Sequence, residues 1–292
     1  MIEVLKPGLL TTIQDLGRSG YAHLGVPRSG ALDAPALALA NRLVGNANTA
    51  AGLETTLTGV TLRAELAATA AVTGAPAEVT IDGQPTGFGH AFEVPAGAIV
   101  RVGPAKRGVR SYLAFGGGVN VAPVLGSRST DTLSGLGPPP LRAGFVVPLG
   151  RPAPALPATN ADRGGHEAEG EPGRGAATEV RVRVRLGPRH AWFSVAARDA
   201  LFGEAYVLSV KSNRVGARLT GATLGRTIAG ELPSEGIVLG SVQVPADGQP
   251  LVFLADHPTT GGYPVIAVVE PADLPLIAQA RPGTAVRFIP WT

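Results

Sequence analysis

The stretch LVFLADHPTTGGYPVIAVV (residues 251–269) places two apolar runs on either side of a turn-rich segment. The first run ends at Asp256 and His257, and the second begins at Val265. Short apolar runs rich in Val and Ile and bounded by Gly and Pro are typical of buried β-strands. The segment therefore predicts two strands of a buried sheet, with a charged pair and a double glycine where the strands meet the turn.

The composition of the 292-residue chain favours the same kind of structure throughout. Apolar residues make up 45% of the chain and charged residues 16%, so the chain can fill a core. Its 40 glycines and 26 prolines are unfavourable in helices and common in turns. We predict a mainly β fold with a few short helices.

A stretch rich in Pro, Gly, Ala and charge, residues 151–178, divides the chain. It lacks apolar periodicity, which is typical of a linker or a long loop. We therefore predict two β-rich subdomains, one over residues 1–150 and one over residues 179–292.

Helix signals are few and local. Asp33 as an N-cap, Pro35 in the first turn and Gly45 as a stop predict one helix over about 33–45. The segment HAWFSVAARDALFG (190–203) predicts a second, and a short third is expected near 272–280. By contrast, RVRVRLGPR (181–189) alternates with period two, which predicts a strand with its arginines on a solvated face.

Several kinds of chemistry are excluded by residues that the sequence lacks. There is no cysteine, which removes thiolate zinc sites and a cysteine nucleophile. None of the three lysines follows a glycine, so no GxxxxGK[ST] phosphate loop exists, and no GxGxxG motif occurs. The five histidines lack metal-ligand spacing, so we predict no metal site. Because the single methionine is Met1, no lysine flanked by methionines is present to carry biotin.

The same sequence-level observations bear on location and on macromolecular ligands. The first ten residues, MIEVLKPGLL, include Glu3, Lys6 and Pro7, where a signal peptide has an apolar core. No run reaches the roughly 18 apolar residues of a membrane span. Aromatic residues make up only 5% of the chain, which does not favour a nucleic-acid-binding face. We expect a soluble, cytoplasmic protein that binds neither membrane nor nucleic acid.

Polar residues gather in three clusters on Gly-rich, turn-like backbone. The first, GVPRSGALDAPALALAN, contains Arg28, Ser29, Asp33 and Asn41. The second, KSNRVGARLTG, contains Ser212, Asn213 and Arg214. The third runs from SEG to GGYP and contains Glu235, Gln243, Asp256, His257, Thr260 and Tyr263.

These clusters resemble the carboxyltransferase subdomain A/B family. The family includes the KipA-type subunit of bacterial 5-oxoprolinase, formerly called allophanate hydrolase subunit 2, and the carboxyltransferase region of urea carboxylase. The motifs SGALD…AN, SNRVG.RL.G, SEG…G and VQVP..GQP…LAD..T.GGYP occur here in the family's order. The resemblance covers nearly the whole chain apart from the linker.

The resemblance implies a fold, a reaction and partners. It implies a cyclophilin-like β-barrel in the second half and pairing with a KipI-type subunit. In the oxoprolinase system a LamB/YcsF-type subunit joins these two, and the complex opens the lactam of 5-oxoproline to glutamate at the expense of ATP. Other relatives transfer a carboxyl group from carboxybiotin to urea. Both reactions act on a planar amide, which requires donors and acceptors at fixed geometry.

The chemistry of the clustered residues suggests individual roles. Asp256 is suited to accept from an amide N–H, His257 to move a proton, and Glu235 to act as a second carboxylate. We take these three as the catalytic candidates. Arg214 is suited to neutralise a carboxylate or a phosphoryl intermediate, and glycines let backbone N–H groups approach an oxyanion. The substrate-binding candidates are Arg214, Asn213, Ser212, Thr260, Gly261, Gly262, Tyr263 and Asn41.

Structural alternatives remain open at this stage. Asp256 could cap the turn that follows it, and Arg214 and Glu235 could form an ion pair with each other. His257 could be a polar rim residue, and Asn41 could serve capping or hydrogen bonding alone. The glycines could reflect a tight turn, and Tyr263 could be a packed residue.

Two other functions also remain open. One is a biotin-dependent carboxyltransferase component, and the other is a non-catalytic binder of a KipI-type kinase inhibitor. Some relatives carry lysine directly after GGYP, where this chain has Val265, which weighs against biotin chemistry.

Overall fold

A computed structural model describes residues 1–152, 179–228, 230 and 232–291. Residues 153–178, which are all but the first two residues of the predicted linker, lie outside the described residues. The chain forms two compact units. Unit 1 comprises Met1–Gly17, Asp33–Thr130 and residues 135–152, and unit 2 comprises Arg18–Leu32, Asp131–Ser134 and the described residues from 179 onwards. The segments 18–32 and 131–134 thus belong to the same unit as the C-terminal half. The division predicted from the sequence placed both segments in the N-terminal subdomain.

The described part of unit 1 consists of two antiparallel sheets and one α-helix. Its elements are β1 (Ile2–Lys6), β2 (Leu10–Gln14), α1 (Ala34–Leu43), β3 (Gly52–Thr56), β4 (Val60–Ala64), β5 (Ala68–Gly74), β6 (Ala77–Ile81), β7 (Gln84–Thr86), β8 (Ala91–Val94), β9 (Ile99–Ala105), β10 (Arg110–Phe115) and β11 (Val146–Val147). One sheet has the order β11-β1-β4-β9-β6-β7, and the other has the order β2-β3-β10-β5-β8. Helix α1 packs on β5 and β10.

Local sequence signals account for these elements. The Asp33 side chain accepts a hydrogen bond from the N–H of Ala36 at 3.1 Å, which caps α1. Gly45, at φ +75°, lies just beyond the end of the helix. Asp82 and Gly83 both have positive φ and join β6 to β7 in a tight hairpin. The predicted helix over about 33–45 is confirmed.

The described part of unit 2 is built around a closed seven-stranded barrel. Its elements are β12 (Glu179–Leu186), α2 (Val195–Gly203), β13 (Ala205–Leu208), β14 (Gly216–Thr220), β15 (Glu235–Gly236), β16 (Ser241–Gln243), β17 (Leu251–Phe253), β18 (Thr260–Gly261), β19 (Val265–Val269), α3 (Leu274–Gln279) and β20 (Ala285–Pro290). The barrel order is β12-β19-β16-β17-β14-β13-β20, and β15 and β18 form a separate two-stranded ribbon. The predicted mainly β fold, with a barrel in the second half, is confirmed.

The two strands predicted from 251–269 are present as β17 and β19, although they are not neighbours in the barrel. Strand β16 pairs with both of them and lies between them. Because the connection need not close a hairpin, it contains β18, which pairs with β15. This arrangement explains why the turn is longer than a hairpin requires.

Two further predictions are tested by unit 2. In β12, Val182 and Val184 are buried in the core, whereas Arg181 and Arg185 are exposed, so the predicted alternation is confirmed. The helix predicted over 190–203 begins only at Val195. The Ser194 hydroxyl accepts from the N–H of Ala197 at 3.0 Å and caps α2 at that point, while residues 190–192 form a short 3-10 turn.

Among the described residues, no helix combines the length and the apolar character that a membrane span requires.

Candidate functional site

Asp256 is the centre of a buried polar cluster in unit 2. Its Oδ1 accepts from the Ser29 hydroxyl at 2.7 Å and from Arg214 Nη2 at 3.0 Å. Its Oδ2 accepts from Arg214 Nε at 2.9 Å, from the Thr132 N–H at 2.9 Å and from the Thr132 hydroxyl at 2.7 Å. We call Ser29, Thr132, Arg214 and Asp256 the Asp256 cluster. Five donors saturate the acceptor sites of one carboxylate.

Arg214 supplies the charge that balances this carboxylate. The side chains of Arg214 and Asp256 are 1% and 0% exposed. Their contact is bidentate, a geometry that arginine can form with a carboxylate and lysine cannot. Arg214 Nη2 also donates to the carbonyl of Gly30 at 2.7 Å. A buried ion pair is tolerated only when such additional hydrogen bonds satisfy both partners.

The turn before β14 fixes the position of Arg214. The Asn213 side-chain oxygen accepts from the N–H groups of Val215 at 2.9 Å and Gly216 at 3.2 Å, which is an Asx turn. The Ser212 hydroxyl accepts from the N–H of Arg218 at 3.1 Å. Ser212 and Asn213, both predicted to bind substrate, are therefore engaged in holding this turn.

The electrostatics of Asp256 argue against a proton-transfer role. Burial by itself raises the pKa of Asp256, but the Arg214 charge and the hydrogen bonds from Arg214 and Thr132 outweigh burial and lower the pKa. The carboxylate therefore stays ionised at neutral pH. A group with a lowered pKa and occupied acceptor sites is poorly matched to general base catalysis.

Two structural alternatives raised by the sequence are wrong. Asp256 does not act as a cap of the turn at 258–260, because its oxygens bond to Ser29, Thr132 and Arg214. Arg214 and Glu235 do not pair with each other. Arg214 pairs with Asp256, and Glu235 pairs with Arg189.

His257 is buried, and its ring contacts the backbone of the next residue. Nδ1 lies 2.7 Å from the carbonyl of Pro258. A carbonyl can only accept, so Nδ1 carries the proton and Nε2 is the acceptor nitrogen of the neutral ring. Burial lowers the pKa of His257 despite opposing effects from Pro258, Asp256 and Asp131, which keeps the ring neutral at pH 7. The alternative of a polar rim residue is wrong, because His257 is buried.

Glu235 lies on the β15–β18 ribbon, where it pairs with Gly261 across the two strands. Arg189 Nε donates to Glu235 Oε2 at 3.1 Å, and a second contact joins Arg189 Nη2 to Oε1. We call Arg189 and Glu235 the ribbon pair. Their side chains are 36% and 33% exposed, so solvent and ligands can reach them. The hydrogen bond from Arg189 lowers the pKa of Glu235, which keeps the carboxylate ionised.

The double glycine has a packing explanation at Gly261. A Cβ placed there would lie 2.5 Å from Ile237 Cδ1 and 2.9 Å from Gln243 Nε2, so any other residue requires the ends of these two side chains to shift. At Gly262 the nearest such atom is the Leu232 carbonyl oxygen, at 3.3 Å. The adjacent Tyr263 is 48% exposed, and its carbonyl accepts from Gln243 Nε2 at 2.8 Å. Gly262, Tyr263 and the exposed Thr260 therefore lie on the accessible side of the ribbon.

The structure brings most of the predicted residues together in unit 2 and leaves one out. Asp256 and Arg214 are in direct contact, His257 follows in the chain, and Glu235, Thr260 and Gly261 share the ribbon. Asn41 belongs to unit 1, where its amide bonds to the carbonyl of Ala50 at 2.7 Å and to Asn46 at 3.1 Å. These contacts order the chain after α1 and give its predicted substrate role no support.

Three members of these groups were not among the predicted site residues: Ser29, Thr132 and Arg189. Ser29 lies in the first polar cluster of the sequence, and its Ser-Gly dipeptide is a turn signal. Thr132 lies in a segment with no local signal, because only folding brings it to Asp256. Among the described residues, no group of three or more His, Asp and Glu side chains is arranged to hold a metal ion.

Comparison with known proteins identifies the family. The sequence model of the carboxyltransferase domain, subdomain A and B, matches residues 24–290. The chain is 39% identical to a subunit of 5-oxoprolinase from Escherichia coli over 99% of this chain and 91% of that protein. It is 34% identical to urea amidolyase of Saccharomyces cerevisiae over 99% of this chain but only 16% of that protein.

A solved structure supports the same relationship. The crystal structure of urea amidolyase from K. lactis aligns with a TM-score of 0.91 and 30% identity, covering 100% of this chain and 19% of that one. The match thus extends along the whole of this chain in sequence and in fold. The chain is a member of the carboxyltransferase domain family, subdomains A and B.

Proposed function

We propose that this chain is a subunit of a hetero-oligomeric, ATP-dependent 5-oxoprolinase that opens the lactam of 5-oxoproline to glutamate. In this proposal it acts with a KipI-type subunit and a LamB/YcsF-type subunit. The supporting observation is the 39% identity to the 5-oxoprolinase subunit of Escherichia coli, which extends over 91% of that protein. The urea amidolyase match covers only 16% of its protein, so most of that enzyme lies outside the matched region.

The ribbon pair offers one acceptor and one donor group that can bind 5-oxoproline, a lactam that carries a carboxylate. 5-Oxoproline presents one amide N–H, one amide carbonyl and one carboxylate. An ionised, accessible Glu235 can accept from the N–H, and Arg189 can donate to an oxygen of the substrate. Ser212, Asn213, Thr260, Gly261, Gly262 and Tyr263 remain our substrate-binding candidates, with Asn41 the weakest supported of the set. Arg214 leaves this set, because its side chain is 1% exposed and bonds to Asp256 and to the carbonyl of Gly30.

His257 is the proton carrier that we favour. Ring opening breaks the C–N bond, adds the oxygen of water to the carbonyl carbon and delivers a proton to the departing nitrogen. A neutral imidazole with Nδ1 fixed as donor and Nε2 as acceptor is suited to such a transfer near pH 7. The lowered pKa of Asp256 makes this neighbouring carboxylate the less suitable base.

Among the described residues, the N-termini of α1 and α2 do not offer a site for a nucleotide phosphate. The sequence has no phosphate loop, and the N-terminus of α1 is capped by the carboxylate of Asp33, which would repel phosphate. The N-terminus of α2 is occupied by Ser194. We therefore assign ATP to the complex, at a site that does not lie wholly on this chain.

Carboxyl transfer from biotin is the second candidate, because the family is named for it and the K. lactis urea amidolyase is similar in fold. Against it, the position directly after GGYP holds Val265, a buried residue of β19, instead of the lysine of some relatives. An enzyme of that kind would also need a separate biotinylated carrier.

The test is ATP-dependent release of glutamate from 5-oxoproline by the co-expressed complex. It compares the complex with this chain, without it, and with the Glu235→Gln variant. The Glu3→Gln variant is the matched control, because Glu3 forms an exposed ion pair with Arg63 in unit 1. We expect turnover to require the chain, to fall with Glu235→Gln and to persist with Glu3→Gln.

Other outcomes point to other functions. A complex that assembles but leaves 5-oxoproline unchanged refutes the oxoprolinase proposal. Activity on urea that requires a biotinylated protein and is blocked by avidin would then support carboxyl transfer. Tight pairing with a KipI-type protein and no turnover of any amide would support a non-catalytic binder.

A further inference from the structure

The backbone beside the Asp256 cluster adopts a conformation that its sequence does not favour. Ser29 has φ +54°, in the left-handed region, and Gly30 follows at φ +103°. A glycine adopts such angles freely, whereas the Cβ of serine makes them unfavourable. Non-glycine residues keep this conformation only where the surrounding structure holds them, and such positions concentrate at ligand-binding and catalytic sites.

Three hydrogen bonds hold this turn in place. The Ser29 hydroxyl donates to Asp256 Oδ1 at 2.7 Å, and the Ser29 N–H donates to the carbonyl of Ala255 at 3.1 Å. The Gly30 carbonyl accepts from Arg214 Nη2 at 2.7 Å. The ion pair of Asp256 and Arg214 therefore fixes the turn from both sides.

The turn carries a cationic residue that the predicted site did not include. Arg28 directly precedes Ser29 and is exposed, whereas Ser29 and Gly30 are buried. The carbonyl of Arg28 accepts from the N–H of Arg18 at 2.8 Å, so the backbone of Arg28 is fixed as well. A guanidinium on a rigid backbone is well suited to bind a carboxylate at fixed geometry.

We infer that Asp256 is a positioning residue that acts through Ser29, and that the turn it holds presents Arg28 to the carboxylate of the substrate. The inference rests on the proposed function, since it concerns how 5-oxoproline is held. It gives Asp256 a role that uses its permanent charge and its five hydrogen bonds.

The test compares two substrates with the whole complex. One is 5-oxoproline and the other is its carboxamide, which keeps the lactam and loses the negative charge. We expect the wild type to prefer the carboxylate through a lower KM. Arg28→Gln should reduce that preference by about 10-fold or more, and Arg28→Lys should restore part of it.

Variants of Ser29 separate the hydroxyl from the backbone. Ser29→Ala removes the hydrogen bond to Asp256, and Ser29→Gly removes it while permitting the left-handed conformation. Both should weaken the preference for the carboxylate, on the order of 10-fold, because misplacement of a binding group is costly. Ser194→Ala is the matched control, since it deletes a serine hydroxyl that caps α2 in the same unit.

Two readouts distinguish positioning from proton transfer. Asp256→Asn should weaken the preference while leaving the pH profile of kcat/KM unchanged in shape. Hydrogen exchange of peptides from 18–32 should accelerate in Asp256→Asn and Ser29→Ala, and not in Ser194→Ala.

The possible failures are distinguishable. If the wild-type complex does not turn over 5-oxoproline, the proposed function fails and this inference fails with it. If the wild type is active but the Arg28 and Ser29 variants keep its substrate preference, the inference alone is overturned. Loss of one limb of the pH profile in Asp256→Asn would also overturn it, in favour of proton transfer.

Discussion

Replacing Asp256 by asparagine should strongly destabilise unit 2. Two donors converge on Oδ1 and three on Oδ2. In either orientation, the amide of asparagine turns one acceptor into an NH2 group that faces donors. The buried guanidinium of Arg214 also loses its counter-charge. Removing one partner of a buried ion pair costs about 3–5 kcal/mol.

Tryptophan fluorescence provides a selective assay. The chain has two tryptophans, Trp192 and Trp291, and both belong to unit 2. Urea denaturation followed by their emission therefore reports on the unit that contains Asp256. With an m-value of about 2 kcal/mol per molar urea, the expected loss lowers the midpoint by roughly 2 M. Asp247→Asn, at an exposed aspartate of the same unit, should stay within about 0.5 kcal/mol of the wild type.

A double variant tests whether the ion pair is the cause. Combining Asp256→Asn with Arg214→Met removes both charges, which should recover a large part of the lost free energy of unfolding. The reasoning is refuted if Asp256→Asn alone costs less than about 1 kcal/mol. It is also refuted if the two substitutions destabilise additively.

Three further outcomes follow from the same structure. Because burial lowers the pKa of His257, the unfolded state binds a proton at higher pH than the folded state does, so the free energy of unfolding should fall as pH drops below about 6.5. His257→Gln should flatten that part of the pH dependence in urea titrations. Glu235→Gln should leave the denaturation midpoint nearly unchanged, since the ribbon pair is solvated, yet reduce glutamate release by the complex. Gly261→Ala should destabilise unit 2 by about 1–3 kcal/mol because its Cβ would meet Ile237 Cδ1, and Ile237→Val should recover part of the loss. Gly236→Ala, at a ribbon glycine with open space, is the control for that comparison.

The fold could be predicted from sequence to the extent that its signals are local. The alternation in 181–189, the cap at Asp33 and the turn at Asp82-Gly83 depend on neighbouring residues, and each is present as expected. The placement of β16 between β17 and β19 depends on pairing across the barrel. No local pattern specifies that pairing, so the sequence alone did not predict it.

The candidate site divides in the same way. Asp256, Arg214 and Glu235 were recognisable as charged residues on turn-like backbone, but their partners were not. Thr132 lies 124 residues from Asp256, and Ser29 lies 227 residues away. Arg189 has no predicted role in the sequence, whereas the structure pairs it with Glu235. Such pairings are set by the tertiary fold.

The membership of residues 18–32 in unit 2 has a consequence for how the protein is made. Ser29 leaves the ribosome 227 residues ahead of Asp256, its hydrogen-bond partner. At typical rates of elongation this interval is roughly 10–45 s, during which the segment has no carboxylate to bind. Most of unit 1 emerges within that interval and can fold first, whereas unit 2 must wait. A chain terminated before residue 256 would therefore lack the carboxylate that binds Ser29. Its segment 18–32 would remain unfolded and exposed to chaperones and proteases, even if unit 1 had folded.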